Sequence, residues 1–255
     1  MSIVAPSVAV VIPAFNEEAR LGATLQAVAD FGRSRGWPMA VVLADDGSSD
    51  RTADLAERTA CEEGLDLTVL RLPHAGKAGA VRSGMIHAAT STDAEYLLML
   101  DADNEIAVDQ LGGVEWADDP STIYIGRRVG SVGDQLGVRP RPIRRLMSTG
   151  MRTLSRLLLG LRFSDSQCGF KLFPRELAVG LFGQQQSRGW VFDAEILVIA
   201  ARSGISIAEV PVVWSPRGVS RVRPSAAVSS VFELLAIAAR KVTGVYRPVG
   251  GTRDL

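Results

Sequence analysis

Cysteine is scarce in this chain: among 255 residues only Cys61 and Cys168 carry a thiol, far apart and with no C-x-x-C spacing. Neither a disulfide framework nor a structural zinc site is indicated, and a reducing compartment is the expected setting. Histidine is equally sparse, and His74 and His87, thirteen residues apart, make no ligand pair. No window reaches the roughly 18 to 20 uninterrupted apolar residues that a membrane-spanning helix needs. Met1 to Pro6 carries no basic stretch leading into an apolar one, so a secretory leader is not expected. The first apolar run is followed by PAFNEE, not by G-x-G-x-x-G, which argues against a nicotinamide-binding turn. A Walker A pattern, internal repeats and low-complexity tracts are absent as well.

Net charge is also lacking, but the zero conceals a polarity. Residues 1–120 hold 8 Lys/Arg against 20 Asp/Glu, a net of −12, and the remainder holds 20 against 8, a net of +12. An acidic half can hold a divalent cation, and a basic half suits phosphates or an anionic membrane surface; solvated surface unevenly dealt explains the same numbers. With 47% of residues apolar, the chain can bury one substantial core. The expected division is a catalytic domain over residues 1–222 and a C-terminal amphipathic helix and tail over 223–255. No nucleic acid partner is expected.

Apolar runs at Val8 to Ile12, Ala40 to Ala44, Leu67 to Leu70 and Tyr96 to Leu100 are short enough to be buried parallel strands. Helix-length segments separate them: Ala19 to Phe31 carries Leu21, Leu25 and Val28 at helical spacing, and Ser49 to Glu63 opens on capping residues. This alternation predicts an α/β fold with a mostly parallel central sheet, helices on both faces and ligands at the carboxyl ends of the strands. Residues 126–142, rich in Gly, Arg and Pro, read as a mobile loop. Residues 143–161 read as an amphipathic helix, with Leu154, Leu158 and Leu161 on its apolar side and Arg145, Arg152 and Arg156 opposite. A second helix is expected from Ala226 to Val242, with Val228, Val231, Phe232, Leu235 and Val242 on one side, although Leu234 and Ile237 interrupt its polar face.

The strongest chemical signal is LMLDADNEI, a buried strand ending in Asp101 and Asp103. Extended backbone points residues i and i+2 the same way, and Glu105 joins them if the chain stays extended. Carboxylates at a strand mouth are hard oxygen ligands for Mg2+ or Mn2+ bridging a diphosphate, where the cation neutralises charge on a leaving nucleotide. In VAVVIPAFNEE, Pro13 is expected to stop the first strand, leaving Phe15 to cover a base and Asn16 or Glu17 to bond to it, or Asn16 simply to cap the next helix. LADDGSSD leaves Asp45 and Asp46 exposed at the same edge, for a base or ribose or, equally for Asp46, as a structural Asx-turn. Lys77, near a helix start, is within reach of phosphate or base. Arg128, with Arg144 or Arg145, is a candidate to grip an acceptor phosphate with its fixed fork, loop solubility being the plainer reading. Asp193 and Glu195 are candidates to orient a sugar hydroxyl or act as a base, or to cap and pair on a helix from Asp193 to Ser203. Cys168, Trp190 and Trp214 read more simply as packing residues.

Together VVIPAFNEE, ADDGSSD, GKAGAVRSGM, LMLDADNEI, DSQCGFKLF, WVFDAEIL and EVPVVW resemble glycosyltransferase family 2, in its polyprenyl-phosphate hexosyltransferase branch. QCGFKLF with FDAEIL looks most like the dolichyl-phosphate β-glucosyltransferases, with the dolichyl-phosphate mannose synthases next. The resemblance covers roughly residues 7 to 216 and implies a GT-A fold and an inverting transfer from a nucleotide-sugar donor, UDP-glucose before GDP-mannose. It implies nucleotide contacts at Pro13, Phe15, Glu17, Asp45 and Lys77, and a metal at Asp101 and Asp103, with Glu105 where the mannose synthases carry glutamine. Asp103, Arg128 and Asp193 are then the expected catalytic residues. A phosphate monoester is already nucleophilic at neutral pH, so positioning and charge stabilisation carry the rate whether or not a base acts. Neither the N-terminal anchor nor the C-terminal spans common in this branch are expected from these residues, and WSPRGVSRVRP replaces its usual Gly-Ser-Lys turn. Two acceptors stay open: a polyprenyl phosphate, met by peripheral contact with the inner face of the cell membrane from a cytoplasmic position, or a small soluble molecule.

Overall fold

Seven consecutive buried residues, Val8–Ala14, form the first strand (β1) and sit in the interior of a seven-stranded sheet. The computed structural model describes residues 6–131, 150, 153–215 and 224–250. The other strands are β2 (Ala40–Asp45), β3 (Asp66–Arg71), β4 (Tyr96–Leu100), β5 (Ile123–Ser131), β6 (Phe170–Pro174) and β7 (Ile207–Trp214). Their order is β3-β2-β1-β4-β6-β5-β7, with β6 antiparallel to both neighbours and every other pairing parallel. The expected mixed α/β architecture with a mostly parallel sheet is the one observed.

Because side chains alternate across a strand, β1 feeds two separate cores. Val8, Val10 and Ile12 face the helices α1 (Leu21–Arg35) and α2 (Thr52–Glu63) and a 3-10 turn, Val108–Gly113. Ala9 and Val11 face α3 (Lys77–Ser91), α5 (Arg175–Gly183), α6 (Phe192–Arg202) and α7 (Pro224–Val242). A short helix at residues 153–159, α4, also lies on this second side: Leu154, Leu158 and Leu159 pack against the core while Arg156 is exposed, as the apolar spacing anticipates. The remainder of the expected 143–161 helix, apart from helical residue 150, lies outside the described residues up to residue 152. Each fully buried Leu, Ile or Val contributes about 1.5–3 kcal/mol, so the two layers jointly fix the sheet and what projects from its ends.

Four expectations need correction. Pro13 does not stop β1; it pairs in register with Ala44 of β2. The Ala14 carbonyl accepts from Asp46 N on the β2 side at 2.8 Å, so alternation turns the Pro13 nitrogen towards β4, whose pairing with β1 has ended at Val11. No ladder bond is lost there. Residues 126–131 are strand, not loop: Gly126, Arg127 and Arg128 pair with Val210, Pro211 and Val212. Gly126 is small because a Cβ would come within 2.6 Å of Cys168 Sγ and 3.1 Å of the Phe170 carbonyl. Residues 132–142 of that expected loop lie outside the described residues. The segment after β4 does not stay extended, since Asn104 turns left-handed at φ 52°. Finally, α7 points Leu234 and Ile237 into the core and leaves Phe232, Leu235 and Val242 exposed, the reverse of the expected face.

Candidate active site

Strand order reverses direction at β1, with β2 on one side and β4 on the other, and such a switch point opens a crevice at the carboxyl ends of the strands. Into it project the loops after β1, β2 and β4. The first two are tied together: Asn16 Oδ1 accepts from Ser49 N at 2.8 Å, and Asn16 N donates to Ser48 Oγ at 2.9 Å. Phe15, 40% exposed, stacks on His74 with ring centroids 4.4 Å apart. The pair offers a flat aromatic edge to the crevice.

Asp45 and Asp46 are buried, contrary to the exposed edge expected for them. Asp45 accepts from Ser48 N and Oγ across its own turn. The Asp46 carboxylate accepts from Ala75 N at 2.7 Å and Gly76 N at 2.9 Å, and lies 2.8 Å from His74 Nδ1. It thereby clamps the loop that presents His74 and starts α3, the structural use of Asp46 weighed against nucleotide binding. Glu17 accepts from Arg20 Nε and Nη2, each at 2.8 Å, and the same guanidinium reaches to 3.9 Å from Asp103 Oδ2.

Lys77, the first residue of α3, extends its ammonium to Asp101 Oδ1 at 2.6 Å and lies 5.6 Å from the Trp190 ring centroid. Burial opposes its charge, but the charges of Asp101, Asp193 and Asp103 outweigh burial and raise its pKa. Asp103 behaves oppositely: burial first, then the negative charge of Asp101, push its carboxyl up. A small cavity of about 70 Å³ is lined by Asp101, Asp103, Glu105, Arg128, Gln167, Gly169 and Trp214. Gly169 is essential to its shape, because a Cβ there would overlap the Asp101 carboxylate. Arg128, in the same lining, is gripped by Asp165 through Nε at 2.5 Å and Nη2 at 2.9 Å.

Asp193 stands deeper. At the start of α6 it pairs with Lys171 Nζ at 2.9 Å, both side chains being buried. Burial pushes the Asp193 carboxyl up, against the pull of Lys171 and Lys77. Glu195 is fully buried and committed elsewhere, accepting from Gln186 N, Ser187 N, Arg240 and Tyr246. Cys168 packs as expected, with burial pushing its thiol up to about 11. Arg144 and Arg145 lie outside the described residues. A larger depression of about 260 Å³, between the carboxyl ends of α1 and α2 near Trp37, is remote from all of these groups.

Among the described residues no group of three or more His, Cys, Asp or Glu side chains stands arranged to hold a metal. The expected trio is therefore not preformed: Lys77 takes Asp101, and Glu105 accepts from the Trp214 indole at 2.8 Å after the turn at Asn104. Asp101 and Asp103 still fit a hard divalent cation in kind. Their mutual repulsion, seen in Asp103, is what a cation relieves, and Mg2+-type sites use one or two carboxylates completed by substrate phosphates. His74, Arg20, Gly169 and Trp214 were not singled out from sequence as parts of this site. Arg20, one helical turn after Glu17, and Gly169, immediately before a buried strand, carried the only local hints.

The seven-stranded, mostly parallel sheet, with helices on both faces and the crevice at its strand ends, has the GT-A fold. Glucosyl-3-phosphoglycerate synthase from Mycobacterium tuberculosis, solved with UDP, shares the fold at a TM-score of 0.60 and 18% identity, over 93% of this chain and 80% of that one. The same enzyme with Mn2+, UDP-glucose and glycerol 3-phosphate gives 0.59 and 18%, over 92% and 80%. The chain belongs to glycosyl transferase family 2, whose family model matches residues 9–182. It is 33% identical to a dolichyl-phosphate beta-glucosyltransferase of Trichomonas vaginalis, over 93% of this chain and 74% of that protein. It is 31% identical to the Saccharomyces cerevisiae dolichyl-phosphate beta-glucosyltransferase, over 93% and 76%, and 30% identical to that of Homo sapiens, over 93% and 76%.

Proposed function

We propose that this chain transfers glucose from UDP-glucose to a polyprenyl phosphate with inversion, acting as a peripheral protein at a membrane surface. The observation that carries the reading is the single pocket in which Asp101 and Asp103 face Arg128. In this reading the carboxylates take a cation-bound pyrophosphate and Arg128 an acceptor phosphate, so that the nucleophile attacks the transferred sugar from the side opposite the leaving group. The names of the relatives support the lipid acceptor, and the neighbour solved with Mn2+ and UDP-glucose supports the donor and the metal.

In this reading Phe15 and His74 cover the base, while Glu17 holds Arg20 near Asp103. Asp101 and Asp103 would hold Mg2+ or Mn2+, which when bound would offset charge on the leaving diphosphate. Lys77 adds a second cation beside it. Arg128, preset by Asp165, binds the acceptor phosphate; Arg144 and Arg145, proposed for the same role, lie outside the described residues. The acceptor oxygen needs no deprotonation, so Asp193, neutralised by Lys171, orients the sugar end of the site and supplies its field. Phe232, Leu235 and Val242 on α7 and Leu157 on α4 are exposed apolar side chains suited to the outer part of a bilayer. Among the described residues no helix is long and apolar enough to cross one.

The test is transfer of labelled glucose or mannose from UDP-glucose or GDP-mannose, with Mn2+, to a short-chain polyprenyl phosphate or to soluble phosphates and alcohols. Glucose on the polyprenyl phosphate is the expected product. Transfer only to soluble acceptors overturns the lipid reading, and no transfer from any nucleotide sugar overturns the whole.

A further inference from the structure

The end of β7 is bonded to the segment that follows the Asp101–Asp103 turn. Trp214 Nε1 donates to Glu105 Oε2 at 2.8 Å, Ser215 N donates to the Glu105 carbonyl at 2.7 Å, and Val213 N donates to Gln110 Oε1 at 3.1 Å. The same indole also meets Arg128, whose guanidinium carbon lies 5.8 Å from its ring centroid. Strand register explains how one residue reaches both. Arg128 pairs with Val212 in the parallel β5–β7 ladder, so Trp214 emerges just beyond it, where the ladder becomes irregular.

We propose that Trp214 is the positioning residue of this site, holding Glu105 by its indole N–H and Arg128 by its ring face, and so setting the separation of the donor and acceptor walls. This rests on the sugar-transfer reading above. A glutamate has three rotatable side-chain bonds and an arginine four, and Asp165 holds the guanidinium of Arg128 by its edge only. The indole restrains both with a rigid plane. An aromatic face engages the flat side of a guanidinium and leaves its in-plane N–H fork for Asp165 and for a phosphate. Glu105 in turn adds negative charge beside Asp103, so its placement bears on how strongly the carboxylate pair attracts a cation.

The two contacts separate by substitution. Trp214→Phe keeps a ring over Arg128 and removes the N–H; Trp214→Leu removes both. Titrating Mn2+ in the presence of UDP, followed by the electron paramagnetic resonance of free Mn2+, reads the donor wall without turnover. Loss of a partner behind a metal-site carboxylate costs about 10- to 100-fold in metal affinity, and that loss is expected for Trp214→Phe with the acceptor KM little changed. Trp214→Leu is expected to raise the acceptor KM as well, by roughly two- to fivefold for a lost cation–π contact. Glu105→Ala, which leaves the indole intact, is expected to weaken Mn2+ to the same degree and to make Trp214→Phe silent in its background. Mn2+ affinity within twofold of the parent in either Trp214→Phe or Glu105→Ala overturns the proposal, and the second variant decides the matter should the first fail to fold. Asp103→Ala keeps the two levels apart. If it abolishes Mn2+ binding while Trp214→Phe does not, Trp214 merely packs; if it leaves Mn2+ binding intact, the metal reading beneath the proposal falls.

Discussion

Replacing Gly169 with alanine should silence the enzyme while barely touching its stability. The added Cβ would overlap the Asp101 carboxylate, but that group sits at the free end of a side chain, a third of which is solvent-exposed. The cheap response is rotation of Asp101 away from β6, not movement of the strand. The structural cost is then at the low end of overpacking, about 1 kcal/mol, or a fall in Tm of roughly 2–4 °C for a chain this long. The carboxylate, however, leaves its place 2.6 Å from Lys77 and beside Asp103. A displacement of about 1 Å in a reacting constellation costs on the order of 100-fold in rate. Steady-state transfer assays beside differential scanning calorimetry measure both quantities on one preparation. A variant with kcat/KM within twofold of the parent would refute the placement of Asp101, and a collapse of Tm would refute the claim that it can yield.

Gly126→Ala is the contrasting case, because its Cβ meets Cys168 Sγ at 2.6 Å and a backbone carbonyl at 3.1 Å; a loss of about 1–3 kcal/mol in denaturant unfolding is expected. Lys171→Met strands the buried Asp193 carboxylate and should cost about 3–5 kcal/mol at neutral pH, read by urea unfolding. On acidification, Mn2+ affinity should begin to fall at a higher pH than an ordinary carboxylate allows. Burial and Asp101 raise the Asp103 pKa, so the proton competes with the cation earlier, and the metal-free fold gains rather than loses stability from this group as pH falls through that pKa. Mn2+ titrations at stepped pH check the sign: affinity flat down to pH of about 4 would contradict it.

The first half of the sheet was legible because buried parallel strands are continuous apolar runs, and Val8–Ile12, Ala40–Ala44 and Tyr96–Leu100 have no competing interpretation. The second half was not. Gly126, Arg127 and Arg128 are turn-like and charged residues within a strand, and the tertiary neighbours Cys168 and Phe170 explain the glycine. On α7 two apolar stripes coexist, and nothing in helical spacing says that Leu234 and Ile237, not Phe232 and Leu235, meet the core. At the site, sequence named Asp101, Asp103 and Glu105 for a metal and Arg128 separately for a phosphate, and the structure lines one cavity with all four. An extended chain was expected to align the three carboxylates, whereas the turn at Asn104 and the bond to Trp214 take Glu105 out of that alignment. Contacts between distant segments, such as Phe15 with His74 and Gly169 with Asp101, leave no periodic trace in a single sequence.

Calorimetric titration of UDP-glucose into the parent protein and into Asp103→Ala, each with and without Mn2+, bears most directly on the carboxylate pair. Binding to the parent should strengthen markedly with Mn2+, and that gain should vanish in Asp103→Ala. UDP-glucose binding that is indifferent to Mn2+ in the parent, or equally Mn2+-dependent in the variant, would contradict a cation held between Asp101, Asp103 and the donor's diphosphate.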